Sequence, residues 1–297
     1  MGNKISVVIN TFNEEKTIEG AIKSVAWADE ITICDMHSED RTVEIAKKAG
    51  AKVIFHKKID YVEPARNFAI SKASGDWVLI LDPDEEVAQQ LAKRLKMIAS
   101  GMKKIDYVRI PRKNIIFGKW MKGAMWWPDF NVRFFKRGSV EWIDEIHRPP
   151  RTQGAGLDLP AEEELAIIHK NYQTISQFIT RMNRYTSVEA NQLIKQNYQF
   201  KWPDLIEKPL SEFLSRFFAN RGFEDGLHGL ALSLLQALSF LIVYLKVWEN
   251  SSFKETPLIL TDLKDEKDKA GFQINYWMRE VSLPKNPFKR LLSRFKD

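Results

Sequence analysis

Residues Trp77-Val78-Leu79-Ile80-Leu81 form a run of five apolar side chains that ends abruptly in Asp82-Pro83-Asp84-Glu85-Glu86. The run has the length of a fully buried strand. Carboxylates clustered at the end of such a strand repel one another and raise each other's pKa, so the pattern needs a physical reason. A divalent cation supplies one. Hard cations such as Mg2+ or Mn2+ prefer oxygen ligands, and Mg2+ is commonly held by one or two carboxylates together with substrate phosphates. Open α/β sheets also bind their ligands at the carboxyl ends of strands. Asp82 and Asp84 are therefore read as a metal–diphosphate site. The plainer alternative is a surface turn leading into a helix over residues 85–99, whose N-terminal dipole favours glutamate.

The first hundred residues alternate short apolar runs with helical patterns. Ile5-Ser6-Val7-Val8-Ile9, Glu30-Ile31-Thr32-Ile33-Cys34-Asp35 and Lys52-Val53-Ile54-Phe55 read as further strands. Between them the spacing predicts helices over 14–27, capped by Asn13, over 41–49, closed by Gly50, and over 64–73. This rhythm predicts an α/β fold, with a mostly parallel sheet flanked by helices and the strand ends aligned along one rim. Residues 101–170 carry two further strand patterns, Tyr107-Val108-Arg109-Ile110 and Val132-Arg133-Phe134-Phe135, around an aromatic loop, with 154–160 as loop. From residue 171 the chain turns helical. The spacing predicts helices over 175–196, 210–223 and 227–248, with Pro203 and Pro209 punctuating a linker. The expected organisation is a sheet domain in two halves, 1–100 and 101–170, a helical extension over 171–250 and a tail over 251–297.

With 44% hydrophobic and 28% charged residues among 297, the chain has the composition of a globular protein able to bury a core. Its single cysteine, Cys34, excludes a disulfide framework and a cysteine-based zinc site, and fits a reducing compartment. Met1-Gly2-Asn3-Lys4 runs straight into a strand pattern, so no signal peptide is expected. A net charge of +6 favours anionic partners, but no nucleic-acid-binding signature accompanies it, and nucleic acid is not expected as a partner. Residues 229–245 hold no charge and are rich in leucine, close to the lower length limit for a membrane span; a weak span, a buried hairpin helix and an interfacial helix share this pattern, and a helix lying on or shallowly in the membrane, or packed against the preceding helix, is expected. In Pro287-Phe288-Lys289-Arg290-Leu291-Leu292-Ser293-Arg294-Phe295-Lys296 the apolar residues fall at helical spacing between cations, as in an interfacial helix drawn to anionic lipid. An ordinary helix docked on the domain has the same pattern.

The strand ends together carry a recognisable set of motifs: Asn10-Thr11-Phe12-Asn13-Glu14-Glu15, Asp35-Met36-His37-Ser38-Glu39, Ala65-Arg66-Asn67 and Asp82-Pro83-Asp84-Glu85. In order and spacing they resemble the family 2, GT-A fold, inverting glycosyltransferases. Trp127-Pro128-Asp129 leading to Arg133-Phe134-Phe135, then Glu145-Ile146-His147, and Arg221-Gly222-Phe223-Glu224-Asp225-Gly226 resemble the lipopolysaccharide core beta-1,4-glucosyltransferase subgroup within it. The resemblance implies a GT-A (Rossmann-like) sheet with a C-terminal helical extension. It also implies transfer of a sugar from a nucleotide-diphosphate sugar, a UDP-sugar first among them, to a lipid-linked or lipopolysaccharide/envelope glycan acceptor. The enzyme would then be cytoplasmic and peripheral at the inner face of the cell membrane.

Carried over by position, the resemblance places Thr11, Asn13, Glu14 or Glu15, Asp35, Arg66, Asn67 and Asp82 on the nucleotide sugar, and Asp84, with Asp82, on Mg2+ or Mn2+. Arg133 would add positive charge at the diphosphate. Inversion requires a base for the acceptor hydroxyl and charge neutralisation of the leaving group. Glu145 leads for the base, with Asp144 and Asp129 as rivals. The sequence departs from the family at Met36-His37-Ser38-Glu39, where a small turn is usual, and at Arg148, where relatives often carry glutamate. Two other classes share parts of the pattern. A nucleotidyltransferase would show a glycine-rich, basic loop after the first strand, which residues 10–15 lack, and a non-catalytic binding module would not need the paired carboxylates.

Overall fold

The computed structural model describes residues 3–59, 63–101, 104–143 and 149–282. The chain divides into two compact units, Met1–Ile116 with Trp127–Asn171, and Phe117–Trp126 with Tyr172–Asp297.

In the first unit the elements run β1 (Ile5–Thr11), α1 (Ile18–Ser24), β2 (Glu30–Asp35), α2 (Thr42–Lys48), β3 (Lys52–Phe55), α3 (Glu63–Ser71), β4 (Trp77–Leu81), β5 (Glu85–Val87), α4 (Gln89–Ala99) and β6 (Tyr107–Ile116). The short β7 (Lys119–Trp120) falls in the second unit. The first then continues through β8 (Asp129–Lys136), β9 (Val140–Glu141), β10 (Arg151–Thr152), β11 (Gly156–Asp158) and β12 (Ile167–His169).

Eight strands follow one path, β3-β2-β1-β4-β8-β6-β12-β5, with β11 beside β6. β1 to β4 pair in parallel, β8 runs antiparallel between β4 and β6, and β12 lies parallel to β6 and antiparallel to β5. The mixed, mostly parallel sheet is the expected α/β architecture. Every residue of β1 and of β4 is buried, as in strands covered on both faces. Val7, Ile9, Leu79 and Leu81 pack under α1 and α4, while Val8, Cys34, Val78 and Ile80 pack under α3. From β1 the chain moves outward through β2 and β3, then returns to place β4 on the other side of β1. That reversal is a topological switch point, where such sheets open a crevice beyond their strand ends.

Three local expectations differ from the structure. The helix expected over 85–99 starts only at Gln89, because Glu85–Val87 pair with β12 as a strand. The loop expected over 154–160 contains β11, hydrogen-bonded to Tyr107, Val108 and Arg109. Pro209 lies inside a helix, α6, where a linker was expected.

The second unit is helical: α5 (Ile175–Lys195), α6 (Asp204–Leu214) continued by a π-helical turn over Ser215–Ala219, α7 (Leu227–Asn250) and α8 (Leu260–Ser282). Thr174 caps α5 by accepting from the Gln177 N–H. The loop of residues 117–126 is tied to the turn before α7. The Asp225 carboxylate accepts from the backbone N–H groups of Lys122 (3.0 Å) and Gly123 (2.7 Å), and Lys119 Nζ donates to the Asp225 carbonyl at 2.6 Å. Gly229 has no room for a side chain, since an added Cβ would overlap the Gly222 carbonyl oxygen.

Candidate active site

Asp82 and Asp84 stand at the end of β4, beside the switch point, and their surroundings give them different roles. Asp82 accepts from Arg66 through Oδ1 and from Arg133 through Oδ2, both at 2.7 Å. Burial pushes its pKa up, but the Arg133 and Arg66 guanidiniums outweigh burial and hold the carboxyl well below the usual range. Arg133 is only 4% exposed and also donates to Glu85 Oε1 at 2.9 Å. Glu85 has no exposed surface, and its Oε2 accepts from the Asp82 N–H at 2.9 Å. Arg133, expected at the diphosphate, is therefore committed to a buried charge network beneath the turn. Burial lowers its pKa, and Asp82 and Glu85 more than reverse that.

Asp84 faces a residue that sequence reasoning missed. β12 pairs with β5 so that His169 lies opposite Glu85, which brings His169 Nε2 to 3.5 Å from Asp84 Oδ2. The orientation of this imidazole is set by a chain of hydrogen bonds. Asp129, held by Arg112 at 2.6 Å, accepts from Asn114 Nδ2 at 3.2 Å. That fixes the amide, so Asn114 Oδ1 faces His169 Nδ1 at 2.7 Å and accepts its proton. In the neutral ring Nε2 then presents a lone pair to the Asp84 carboxylate. Two acceptors facing each other are relieved by a shared cation, and a metal-binding histidine commonly donates its other N–H in just such a second contact. The donor set, one carboxylate oxygen and one imidazole nitrogen, fits a divalent cation completed by phosphate oxygens and water. Among the described residues no group of three or more His, Cys, Asp or Glu side chains gathers as a metal site. The only signal for His169 in the sequence was Ile167-Ile168-His169, too short to mark a strand.

In this arrangement Asp129, a rival for the base, is engaged as a hydrogen-bond acceptor. Its oxygens accept from Arg112, Asn114 and Asn131. Burial raises its pKa, but Arg112 and these hydrogen bonds outweigh burial and lower it, which makes a weak proton acceptor. Glu145 and Asp144, the other two, lie outside the described residues, as does His147.

The nucleotide-side residues line the rim of β1 and β2. Asp35, expected at the base or ribose, has no exposed surface. It accepts from Thr11 Oγ1 (2.9 Å), the Ser38 N–H (2.8 Å) and Ser38 Oγ (2.6 Å), so it ties β1 to the loop after β2. Ser38 belongs to the segment that departs from the family turn. Asn13, in a left-handed conformation (φ 58°), accepts from the Glu39 N–H through Oδ1. The Glu14 N–H donates to Thr42 Oγ1 and the Glu15 N–H to Asp40 Oδ2, while Glu15 Oε2 accepts from the Arg41 N–H. The two loops are thereby stitched into one rim. Arg66 reaches Asp82 and lies over Trp142. The Asn67 amide clamps the Trp142 backbone in both directions, at 2.7 and 2.9 Å. Asn67 and Trp142, with Glu141, Ile143 and Arg151, line a cleft of about 200 Å3.

Comparison with known proteins matches residues 6–152 to the family model "Glycosyl transferase family 2". An uncharacterised glycosyltransferase of Rickettsia typhi is 30% identical over 87% of this chain and 91% of its own length. The chain belongs to glycosyltransferase family 2. The lipopolysaccharide core biosynthesis glycosyltransferase LpsC of Rhizobium meliloti is 22% identical over 85% of this chain and 95% of its own. Among solved structures, the mannosyltransferase PcManGT of Pyrobaculum calidifontis, in complex with GDP-Man and Mn2+, is 14% identical with a TM-score of 0.46 over 92% of this chain and 85% of its own. As a family 2 glycosyltransferase the protein is an enzyme that takes its sugar from a nucleotide sugar. Family membership thus sets aside nucleotidyl transfer and non-catalytic binding.

Proposed function

We propose that this enzyme is a metal-dependent inverting transferase acting on a lipid-linked or lipopolysaccharide/envelope glycan, at the inner face of the cell membrane. The observation that carries the metal dependence is Asp84 Oδ2 facing His169 Nε2 across 3.5 Å beside the switch point. The likeness to LpsC supports the envelope glycan as acceptor.

Asp84 and His169 would hold the Mg2+ or Mn2+. When bound, the ion neutralises charge on the departing diphosphate. The protein's own residues do the rest. Arg66 and Arg133 fix Asp82, and through Glu85 they fix the turn that carries Asp84. The stitched rim of Thr11, Asn13, Glu14 and Glu15 supports the nucleotide, with Asp35 as its buried tie. The acceptor oxygen attacks the anomeric carbon as the bond to the diphosphate breaks on the opposite face, so the configuration inverts. The acceptor proton passes to a carboxylate of the Asp144–Glu145 pair, two and three residues beyond the Trp142 backbone that Asn67 holds.

The test is release of nucleoside diphosphate from a panel of nucleotide sugars in the presence of membrane glycolipid extract, with Mn2+, Mg2+ or EDTA. The proposal expects release with one nucleotide sugar that needs the metal, needs the extract and is lost in Glu145→Gln or Asp144→Asn. Release unaffected by EDTA would remove the metal from the reading, and release unaffected by either substitution would remove the base.

A further inference from the structure

α7 is long and apolar enough to cross a membrane, but its two faces have different surroundings. One face is buried in the helical unit through Gly229, Leu232, Ser233, Ala237, Val243, Tyr244 and Val247. That face packs on α5 and α6, and Lys246 locks it by donating to Asn183 O, Asn183 Oδ1, Thr186 Oγ1 and Ser187 Oγ on α5 at 2.8–2.9 Å. The opposite face carries Leu227, Leu234, Leu238, Leu241 and Leu245, which at about 100° per residue fall along one line of the helix. The first three are 78%, 53% and 37% exposed. No charged residue interrupts residues 229–245, so the stripe runs for roughly 27 Å at 1.5 Å per residue.

We infer that this outer face of α7 is a membrane-docking surface and that the helix lies in the plane of the bilayer interface without spanning it. Spanning would require α7 either to leave α5 or to carry α5 with it. The latter would bring Arg181, Arg184, Glu189 and Lys195 into hydrocarbon, where charges are costly. The occupant is lipid and not a protein partner on two grounds. The stripe is leucine throughout, whereas protein interfaces concentrate Tyr, Trp, Met and Arg, and leucine is under-represented among their energetic centres. The exposed apolar surface also continues past α7 through Phe253, Leu258, Ile259 and Leu260, at 55–81% exposed. Further along the chain, residues 283–297 hold five basic residues and one acidic residue, a charge suited to anionic headgroups. The inference deepens the membrane-side acceptor reading above and rests on it.

The test is co-sedimentation of the full chain with vesicles of phosphatidylcholine alone and with about a third phosphatidylglycerol, comparing wild type with Leu227→Glu/Leu234→Glu. Both leucines are exposed, so the melting temperature should not change. If it falls, Leu227→Ser/Leu234→Ser gives the same contrast. The expected result is wild-type binding that favours the anionic vesicles, is released by alkaline carbonate, and weakens by about tenfold for each leucine replaced. Absence of wild-type binding, binding unchanged in the variants, or binding that resists carbonate would each overturn the inference. So would a wild-type dimer that the variants split. The melting shift with donor nucleotide reads the transferase site independently in the same samples, so failure there is distinguishable from failure here.

Discussion

At His169 the Nδ1 side is committed to Asn114, so in the neutral ring the nitrogen facing Asp84 carries a lone pair, and this pairing depends on residues well behind the metal position. Asp129 anchors that relay, and its loss should leave a definite signature. Asp129→Asn should weaken apparent metal affinity by roughly 10–100-fold while leaving the acid limb of the pH–rate profile in place. Loss of that limb would make Asp129 the base after all. Arg133 is a stability residue on this reading. Arg133→Ala leaves Glu85 buried without its closest cation and should cost about 3–5 kcal/mol in chemical denaturation; a loss under 1 kcal/mol would contradict the buried network. Asp82, Asp84 and their strand end were legible in the sequence because a buried apolar run rarely stops at two carboxylates unless a cation offsets their repulsion. His169 was not legible, because its strand is three residues long and acquires meaning only through partners on β5 and β6. The buried state of Asp35 was hidden for a related reason: Ser38, which satisfies it, lies in the segment where this chain departs from the family pattern.

Among the elements, α3 and the β9 region are coupled through one amide. Asn67→Ala should unfix the backbone at Trp142 and lower kcat by about a hundredfold through misplacement of the segment that follows, with donor-nucleotide affinity unchanged. A change in donor affinity alone would place Asn67 on the nucleotide. In the helical unit, Gly229→Ala should prevent α7 from seating against the turn at Gly222, seen as lost helical circular dichroism and a melting temperature lowered by several degrees. The parallel β-α rhythm up to β4 was readable from local spacing alone, since each strand there is a continuous apolar run. β5 and β11 were not, because short edge and bridging strands are defined by their neighbours, and the glutamates of β5 favour a helix when read locally.

For the whole molecule, the depressed carboxyls set the response to acid. Asp82 and Asp129 are held below their unfolded range, so their stabilisation is complete above about pH 4 and is lost as pH falls through the lower folded values. The denaturation midpoint should hold steady from neutrality to about pH 5 and decline below pH 4, less steeply in Asp129→Asn; a midpoint that rises on acidification would contradict the network. The apolar content and charge of α7 were evident from sequence, but only the packed structure shows that one of its faces is already occupied. A cation at the end of β4 is tested most directly by the thermal shift of the chain with nucleoside diphosphates, with Mn2+, Mg2+ or EDTA, in wild type, Asp84→Ala and His169→Ala. At about a hundredfold over its dissociation constant a ligand stabilises by roughly 2.7 kcal/mol. Wild type should show a metal-dependent shift with one nucleotide, and both variants should lose it. A shift that survives EDTA, or that survives His169→Ala unchanged, would contradict a cation held between Asp84 and His169.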